Sequence, residues 1–195
     1  QLQVAAIPVL DPVIGVLANQ LGRKSRGLPG QQHLLDSGYF QRIDAMTFAI
    51  AHDDGQSPWG LNAADVVLVG VSRTSKTPTC LYLANRGIKA ANVPIVPGSP
   101  LPPELFTAED PLIVGLTNDP ERLIQLRRNR LSLLHQEADT ETDYTDDDAV
   151  RQEVLQAKRM FAERRWPVID VTRRSIEETA AAVLKLLQHR QDDDG

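Results

Sequence analysis

Cysteine is nearly absent from this sequence: its 195 residues contain only Cys80. An intrachain disulfide is therefore excluded, which fits a reducing compartment such as the bacterial cytoplasm or the plastid stroma. The sequence also has no apolar run near the roughly 20 residues that a membrane-spanning helix requires, and no signal-peptide pattern at its start. We therefore expect a soluble protein with no membrane partner.

Basic residues are also fewer than acidic ones: the sequence has 21 Lys and Arg, 26 Asp and Glu, and a formal net charge of −5. Binding to nucleic-acid backbones depends on clustered basic residues, so we expect no nucleic-acid partner, although a local phosphate site remains compatible. The length is enough for one hydrophobic core and predicts a single domain, residues 1–195. Because the chain starts at Gln1 and runs directly into apolar residues, we expect that an N-terminal segment has been removed or is missing from this sequence.

Short apolar runs alternate with helical patterns along the chain. This alternation predicts an α/β fold with a parallel-rich sheet flanked by helices. The predicted strands are a run that starts at Val4 and residues 65–69, 92–96, 112–116 and 166–171. Six helices are predicted: one after Asp11-Pro12, one through residues 40–50, one over 78–85, one that starts at Pro120, one over 149–164, and one from Ser175 to about His189. The segments 22–30 and 137–148 are predicted to connect elements, the second as a linker or a helix start.

The segment that follows the apolar run 66–69 has the composition and position of a phosphate-binding loop. In such a loop, backbone N–H groups and a helix N-terminus surround an anion, a lysine adds charge, and a Ser or Thr hydroxyl reaches Mg²⁺. Lys76 and Thr77 occupy those last two positions, while Ser75 replaces the second glycine of the usual pattern G-x-x-x-x-G-K-[ST]. The alternative is an ordinary β-to-α turn. The predicted nucleotide-binding residues are Gly70, Val71, Ser72, Arg73, Thr74, Ser75, Lys76 and Thr77.

Two adjacent carboxylates, Asp53 and Asp54, follow a predicted helix and precede Gly55. Phosphoryl transfer to a hydroxyl requires a carboxylate that accepts the proton or helps to hold Mg²⁺. We interpret these two residues, with Lys76, as the candidate catalytic groups. The alternative is that they only cap a helix-to-strand turn. We expect His52 to be a packed or surface residue.

Charged residues near the last predicted strand are weaker candidates. Asp170 ends the apolar run 168–169 of that strand and, with Thr77, is a candidate metal ligand, or else a turn residue. Arg173 and Arg174 precede the last helix, whose N-terminus would reinforce binding of phosphate oxygens, unless they are only solvated. Ser175 and Glu178 have the spacing of a capping box. The helix after Pro120 carries four arginines, which we interpret as its solvent face or as a partner-docking surface: Arg122, Arg127, Arg128 and Arg130.

Taken in order, several stretches resemble the pyruvate, phosphate dikinase and phosphoenolpyruvate synthase regulatory proteins of bacteria and plastids. They extend over nearly the whole chain, which is more specific than a phosphate loop alone. The stretches are residues 29–33 with Tyr39 and Phe40, 52–55, 70–78, 92–94, and 166–172 leading into 175–178.

The resemblance implies a P-loop kinase-like fold and a bifunctional enzyme. One activity is an ADP-dependent serine/threonine kinase that phosphorylates a threonine of the dikinase or synthase and releases AMP. The other is a pyrophosphorylase that removes the phosphate with inorganic phosphate. ADP and phosphate are the implied co-substrates, Mg²⁺ is an implied metal, the dikinase or synthase is the implied partner, and a homodimer is left open. Family members are longer at the N-terminus.

Two other functions share the loop: a small-molecule kinase or nucleotide hydrolase, and a non-catalytic module that senses a nucleotide or phosphate. Neither accounts for the stretches 52–55 and 166–178 together. The sequence therefore favours the regulatory enzyme.

Overall fold

The structure is a computed structural model that describes residues 10–23, 37–133 and 144–193. The chain divides into two compact units, Gln1–Asp36 and Ser37–Gly195. In the first unit the described element is helix α1 (Asp11–Leu21), which has a proline in its first turn and ends at Gly22 in the left-handed conformation. This helix lies where the sequence predicts it. The strand predicted from Val4 and residues 24–30 of the predicted connection lie outside the described residues.

The second unit contains a four-stranded sheet in which all neighbouring strands are parallel, in the order β2-β1-β3-β4. The strands are β1 (Val66–Val71), β2 (Ala90–Ile95), β3 (Leu112–Thr117) and β4 (Val168–Asp170). All six residues of β1 are buried, as expected for a strand covered on both faces. Val69 of β1 lies opposite Val93 of β2 and Gly115 of β3.

Helices cover both faces of the sheet and confirm the predicted α/β, P-loop kinase-like fold. They are α2 (Ser37–Ala51), α3 (Lys76–Ala84), the short α4 (Glu104–Thr107), α5 (Pro120–Leu133), α6 (Asp147–Glu163) and α7 (Ile176–Asp193). Successive residues of β1 point to opposite faces: Val66 packs in the cluster formed by α2, α3 and α7, while Val67 packs in the cluster formed by α5 and α6. Two hydrophobic cores therefore hold the sheet.

The starts of the last two helices are fixed by side-chain caps. Asp146 Oδ1 accepts a hydrogen bond from Ala149 N (2.7 Å), so the end of the predicted acidic segment begins α6. At α7, Glu178 N donates to Ser175 Oγ (3.1 Å) and Ser175 N donates to Glu178 Oε2 (2.8 Å), which confirms the capping box. Residues 137–143 of the acidic segment lie outside the described ranges. None of the helices described is both long and apolar enough to cross a bilayer.

Candidate phosphate-binding and catalytic site

The loop after β1 begins at a glycine that the packing requires. A Cβ atom on Gly70 would lie 2.6 Å from the carbonyl oxygen of Leu116 on β3 and 2.9 Å from Thr74 Oγ1. Thr74 Oγ1 in turn donates to the carbonyl of Val71 (2.9 Å) and closes the loop on itself. Any larger residue at Gly70 would push β1 away from β3 or open the loop.

Two residues of the loop, Arg73 and Ser75, have positive φ angles of 71° and 58°. Ser75 stands where the usual motif has its second glycine, and it adopts the left-handed conformation that glycine reaches most easily. The loop therefore keeps the backbone shape of the motif without that glycine, at a conformational cost on the order of 1 kcal/mol.

Lys76 is the first residue of α3 and is only 6% exposed. Its Nζ donates to the carbonyl oxygen of Val71 (3.0 Å), so the amine folds back over the loop. Burial lowers the pKa of Lys76 to about 8, although the nearby carboxylates of Asp54 and Asp53 oppose this shift. An anion bound in the loop would compensate the buried charge and favour the protonated amine.

The predicted carboxylates lie in a short 3-10 turn, Asp53–Gly55, that directly follows α2. Asp53 Oδ1 accepts hydrogen bonds from Thr77 Oγ1 (2.9 Å) and from Asn92 Nδ2 (2.6 Å). Asp54 has a positive φ of 50°, and its Oδ1 lies 3.2 Å from the same Asn92 nitrogen. The structure therefore brings the carboxylate turn into direct contact with the phosphate loop.

Asn92 on β2 also takes part in this contact, although no sequence motif marks it as a site residue. It is 1% exposed, its Nδ2 also lies 3.0 Å from Thr77 Oγ1, and its backbone N–H donates to the carbonyl of His52 (3.0 Å). Its Oδ1 is buried without a hydrogen-bond partner among the described residues. The sequence does contain a signal for this role: Asn92 is a polar amide at the start of the predicted apolar strand 92–96, and a buried amide needs polar partners.

A cleft of about 550 Å³ contains most of the predicted site. It is lined by the loop residues Ser72, Arg73, Ser75, Lys76 and Thr77, with Asp54 and Arg130. Asp53 lines a different and smaller cavity, beside Thr77 and Ala49. Asp54 is thus the carboxylate that faces the cleft, while Asp53 holds the Thr77 hydroxyl from behind.

Three predicted residues are not brought into this cleft. Asp170 lies on β4, where its Oδ1 accepts a hydrogen bond from Thr172 N (2.9 Å). Burial alone would raise the pKa of Asp170, but the hydrogen bonds from Thr172 and the charges of Lys158 and Arg174 lower it. Arg173 and Arg174 line a separate cavity with Lys185 and His189. The metal and phosphate roles of these three residues stay predictions.

His52 is packed, as expected. Its Nδ1–H donates to the carbonyl of Phe48 (2.9 Å), and its ring stacks on the Phe48 ring with centroids 3.9 Å apart. A Cβ on Gly60 would lie 2.2 Å from Nε2, so the other edge of the ring is covered as well. His52 therefore shapes the turn that carries the two aspartates.

The interpretation of the α5 arginines as a solvent face is wrong for Arg127. This residue is 1% exposed and forms a two-pronged ion pair with Glu153 of α6, at 2.8 and 3.0 Å. It lies three and four positions after Ile124 and Leu123, both buried, so helical spacing places it on the inner face of α5. By contrast, Arg128 is exposed and pairs with Asp147 (3.0 Å).

Arg127 also connects α5 to the loop, together with Tyr144. Its guanidinium donates to the carbonyls of Tyr144 (3.1 Å) and Ser72 (3.5 Å) and lies 4.7 Å from the centroid of the Tyr144 ring. The Tyr144 hydroxyl lies 3.3 Å from Ser72 Oγ and accepts a hydrogen bond from Arg73 Nε (3.3 Å). Burial alone would raise the pKa of Tyr144, but these hydrogen bonds and the charges of Arg73 and Arg127 lower it.

A parallel α/β sheet, a loop with a buried lysine after its central strand, and a carboxylate turn beside that loop define the class: a P-loop-type, kinase-like protein. The family model described as kinase/pyrophosphorylase matches residues 1–184. The chain belongs to this family, which confirms the resemblance found in the sequence.

Individual relatives agree with this assignment. A protein of Caulobacter vibrioides that carries the provisional name pyruvate, phosphate dikinase regulatory protein is 58% identical over 187 residues, which cover 96% of this chain and 59% of that protein. Proteins of the same provisional name from Erythrobacter litoralis and Sphingopyxis alaskensis are each 54% identical to this chain. Both alignments include 97% of this chain; they include 68% of the Erythrobacter protein and 69% of the Sphingopyxis protein. The chain thus spans about three fifths to two thirds of these relatives.

Proposed function

We propose that this chain carries out the two opposed reactions of its family on pyruvate, phosphate dikinase: ADP-dependent phosphorylation of a threonine, and phosphate-dependent removal of that phosphate. The family match supports both chemistries, and the names of the relatives favour the dikinase over the synthase as the target. One observation carries the proposal: Lys76 and the carboxylate of Asp54 line the same cleft as the phosphate loop. Since the relatives are bacterial, we place the reaction in the bacterial cytoplasm.

In the kinase direction, the loop amides and Lys76 hold the β-phosphate of ADP. Asp54 accepts the proton of the target threonine hydroxyl as its oxygen attacks phosphorus. The bond between the β-phosphorus and the bridging oxygen breaks, and AMP leaves with that oxygen. The buried Lys76 ammonium stabilises the charge on the transferring group, an effect that is strong where water is excluded.

The two aspartates have different roles in this scheme. Asp54 lines the cleft, so it is the proposed base. Asp53 accepts the hydrogen bond from Thr77 and lines the cavity behind it, so it orients that hydroxyl. The Asn92 amide, which bonds both carboxylates, fixes their spacing.

In the reverse direction, inorganic phosphate takes the place of the β-phosphate of ADP. Asp54 removes a proton from the phosphate, and the phosphate oxygen attacks the phosphorus of the phosphothreonine. The bond from that phosphorus to the threonine oxygen breaks, pyrophosphate forms, and the threonine oxygen takes up the proton that Asp54 removed. The same groups act on the same kind of anion in both reactions. ADP and phosphate therefore exclude each other from the cleft.

Magnesium fits the residues beside the loop. It prefers oxygen ligands and usually combines one or two protein groups with phosphates and waters. Thr77 and Asp53 provide two such oxygens 2.9 Å apart, whereas no cluster of three or more His, Cys, Asp or Glu that could hold a metal occurs in the described ranges. Thr77, which lines the cleft, would hold the ion through the hydroxyl that Asp53 orients, and the ion would neutralise charge on the phosphates.

The proposal is tested by incubating the chain with ADP and purified dikinase and locating phosphothreonine by mass spectrometry. Asp54→Asn should lower the rate in both directions by about 10²- to 10⁴-fold, the usual contribution of a general base. Asp148→Asn is the matched control, because this side chain is 93% exposed on α6. An Asp54→Asn variant with unchanged rates would remove the base assignment.

Two other results would replace the function itself. Sustained consumption of ADP or ATP without any protein acceptor would indicate a nucleotide hydrolase, or a small-molecule kinase where it requires an added metabolite. Tight ADP binding without transfer to either the dikinase or the synthase would indicate a sensing module.

A further inference from the structure

A second cavity, also of about 550 Å³, opens beside the phosphate cleft. Both are lined by Ser72, Ile95 and Val96, so the two spaces lie side by side. This wall lies at the carboxyl end of β2, and in open parallel sheets ligands bind outside the carboxyl ends of the strands. The volume lies within the range usual for small-molecule sites.

The walls of the second cavity combine apolar surface with neutral polar groups. Val96 and Pro97 provide an apolar side, and the Tyr144 ring provides an aromatic one. Gln152 and Gln156 are four residues apart on α6, so their amides lie on one face of the helix, one turn apart. Such amides can both donate to and accept from the edge of a purine.

The charge of this cavity differs from that of the cleft. Arg127 lines it, but the guanidinium is neutralised by Glu153, which lines it too. The Nε of Arg127 is buried without a partner among the described residues, so an acceptor atom of a ligand would satisfy it. The cleft, by contrast, is lined by Arg73, Lys76 and Arg130. Phosphates belong in the cleft, and an uncharged ring belongs in the cavity.

We propose that this cavity binds the purine nucleoside of the nucleoside diphosphate whose phosphates occupy the loop, with Gln152 and Gln156 as specificity-determining residues for the base. The inference rests on the proposed function and adds one consequence to it. Only the kinase reaction uses a nucleotide, so the cavity serves one activity and leaves the phosphate-driven reaction untouched.

The test compares two ligands and two reactions in the same variants. Gln152→Ala and Gln156→Ala each remove about one neutral hydrogen bond and should weaken ADP binding about 3- to 10-fold, measured by calorimetry. Ala149→Leu adds bulk at the wall and should weaken it about tenfold or more by occupying the space. Binding of inorganic pyrophosphate, and the KM for phosphate in the reverse reaction, should stay at wild-type values. Gln188→Ala is the matched control, because Gln188 lies on α7 and lines another cavity.

Two results would overturn the inference while the proposed function stands: variants that bind ADP as the wild type does, or variants that lose ADP and pyrophosphate affinity equally. A wild-type chain that binds pyrophosphate but not ADP would instead remove the proposed function together with the inference.

Discussion

The buried ion pair between α5 and α6 gives the sharpest prediction about stability. Its partners, Arg127 and Glu153, have side chains that are 1% and 7% exposed, and they share two hydrogen bonds of 2.8 and 3.0 Å. We expect Glu153→Leu to destabilise the protein more than the double change Arg127→Met with Glu153→Leu. Removal of the carboxylate alone leaves a guanidinium buried without its counter-ion, whereas the double change removes both charges.

The magnitudes follow from this geometry. Loss of one partner of a buried ion pair costs about 3–5 kcal/mol, whereas apolar replacement of both partners is often neutral or better. In the double variant the carbonyls of Tyr144 and Ser72 lose their Arg127 donor, at about 1 kcal/mol each. The double variant should therefore lie within about 2 kcal/mol of the wild type.

Urea unfolding at pH 7 measures these free energies, provided that the dependence on urea is the same in all variants. The matched control is Arg128→Met, which removes one partner of an exposed pair between the same helices and should cost less than about 1 kcal/mol. If the double variant is destabilised as much as Glu153→Leu or more, the account of the buried pair is refuted.

Three further predictions concern the site. Gly70→Ala should lower the free energy of unfolding in urea by about 1–3 kcal/mol and weaken phosphate binding, because the new methyl would lie 2.6 Å from a backbone oxygen. Gly15→Ala is the control: a Cβ there has no atom within 4 Å, so this change should not destabilise the protein. Asn92→Asp places a third carboxylate beside two others, and their repulsion favours the protonated acid in the folded state. The Asn92→Asp variant should therefore become less stable relative to Asn92→Ala as the pH rises from 4 to about 7. Because its pKa is about 8, Lys76 loses its charge as the pH rises through this value. Phosphate affinity measured by calorimetry should therefore fall about tenfold between about pH 7 and 9 in the wild type. The fall should be much smaller in Lys76→Gln.

Each of these predictions has a contrary outcome. Wild-type phosphate affinity in Gly70→Ala would mean that the loop tolerates displacement. A pH-independent difference between the two Asn92 variants would mean that the amide only fills space. An affinity that is constant across pH 7 to 9 would mean that the Lys76 charge does not contribute to anion binding.

Local pattern predicted the parts of the fold that depend on neighbouring residues. The apolar strand before Gly70, the helix after Lys76 and the capping box at Ser175 are each written in a few consecutive positions, and each appears as expected. The contact between the Asp53 turn and Thr77 was only a hypothesis at that level, because the two residues are 24 positions apart and Asn92, which bonds both, lies 39 positions after Asp53. No local pattern encodes contacts at such separations.

The order of the strands in the sheet explains why the sequence could not predict which candidate residues lie in the cleft. Asp170 ends β4, a position where many phosphate-loop proteins have an acidic site residue, but β4 is separated from β1 by β3. The sequence contains the strands and not their order. Arg127 is a different case, since its spacing from Leu123 and Ile124 predicts burial and its charge alone suggested otherwise.

The position of the carboxylate turn has a consequence for solubility as well as for chemistry. Among the described strands, β2 lies at one end of the sheet, where unpaired backbone groups can recruit strands from other molecules. The Asn92 N–H on that outer side is bonded to the carbonyl of His52, so the segment that holds the aspartates also shields part of this edge. Mutations that loosen the turn should therefore promote self-association along with any loss of turnover.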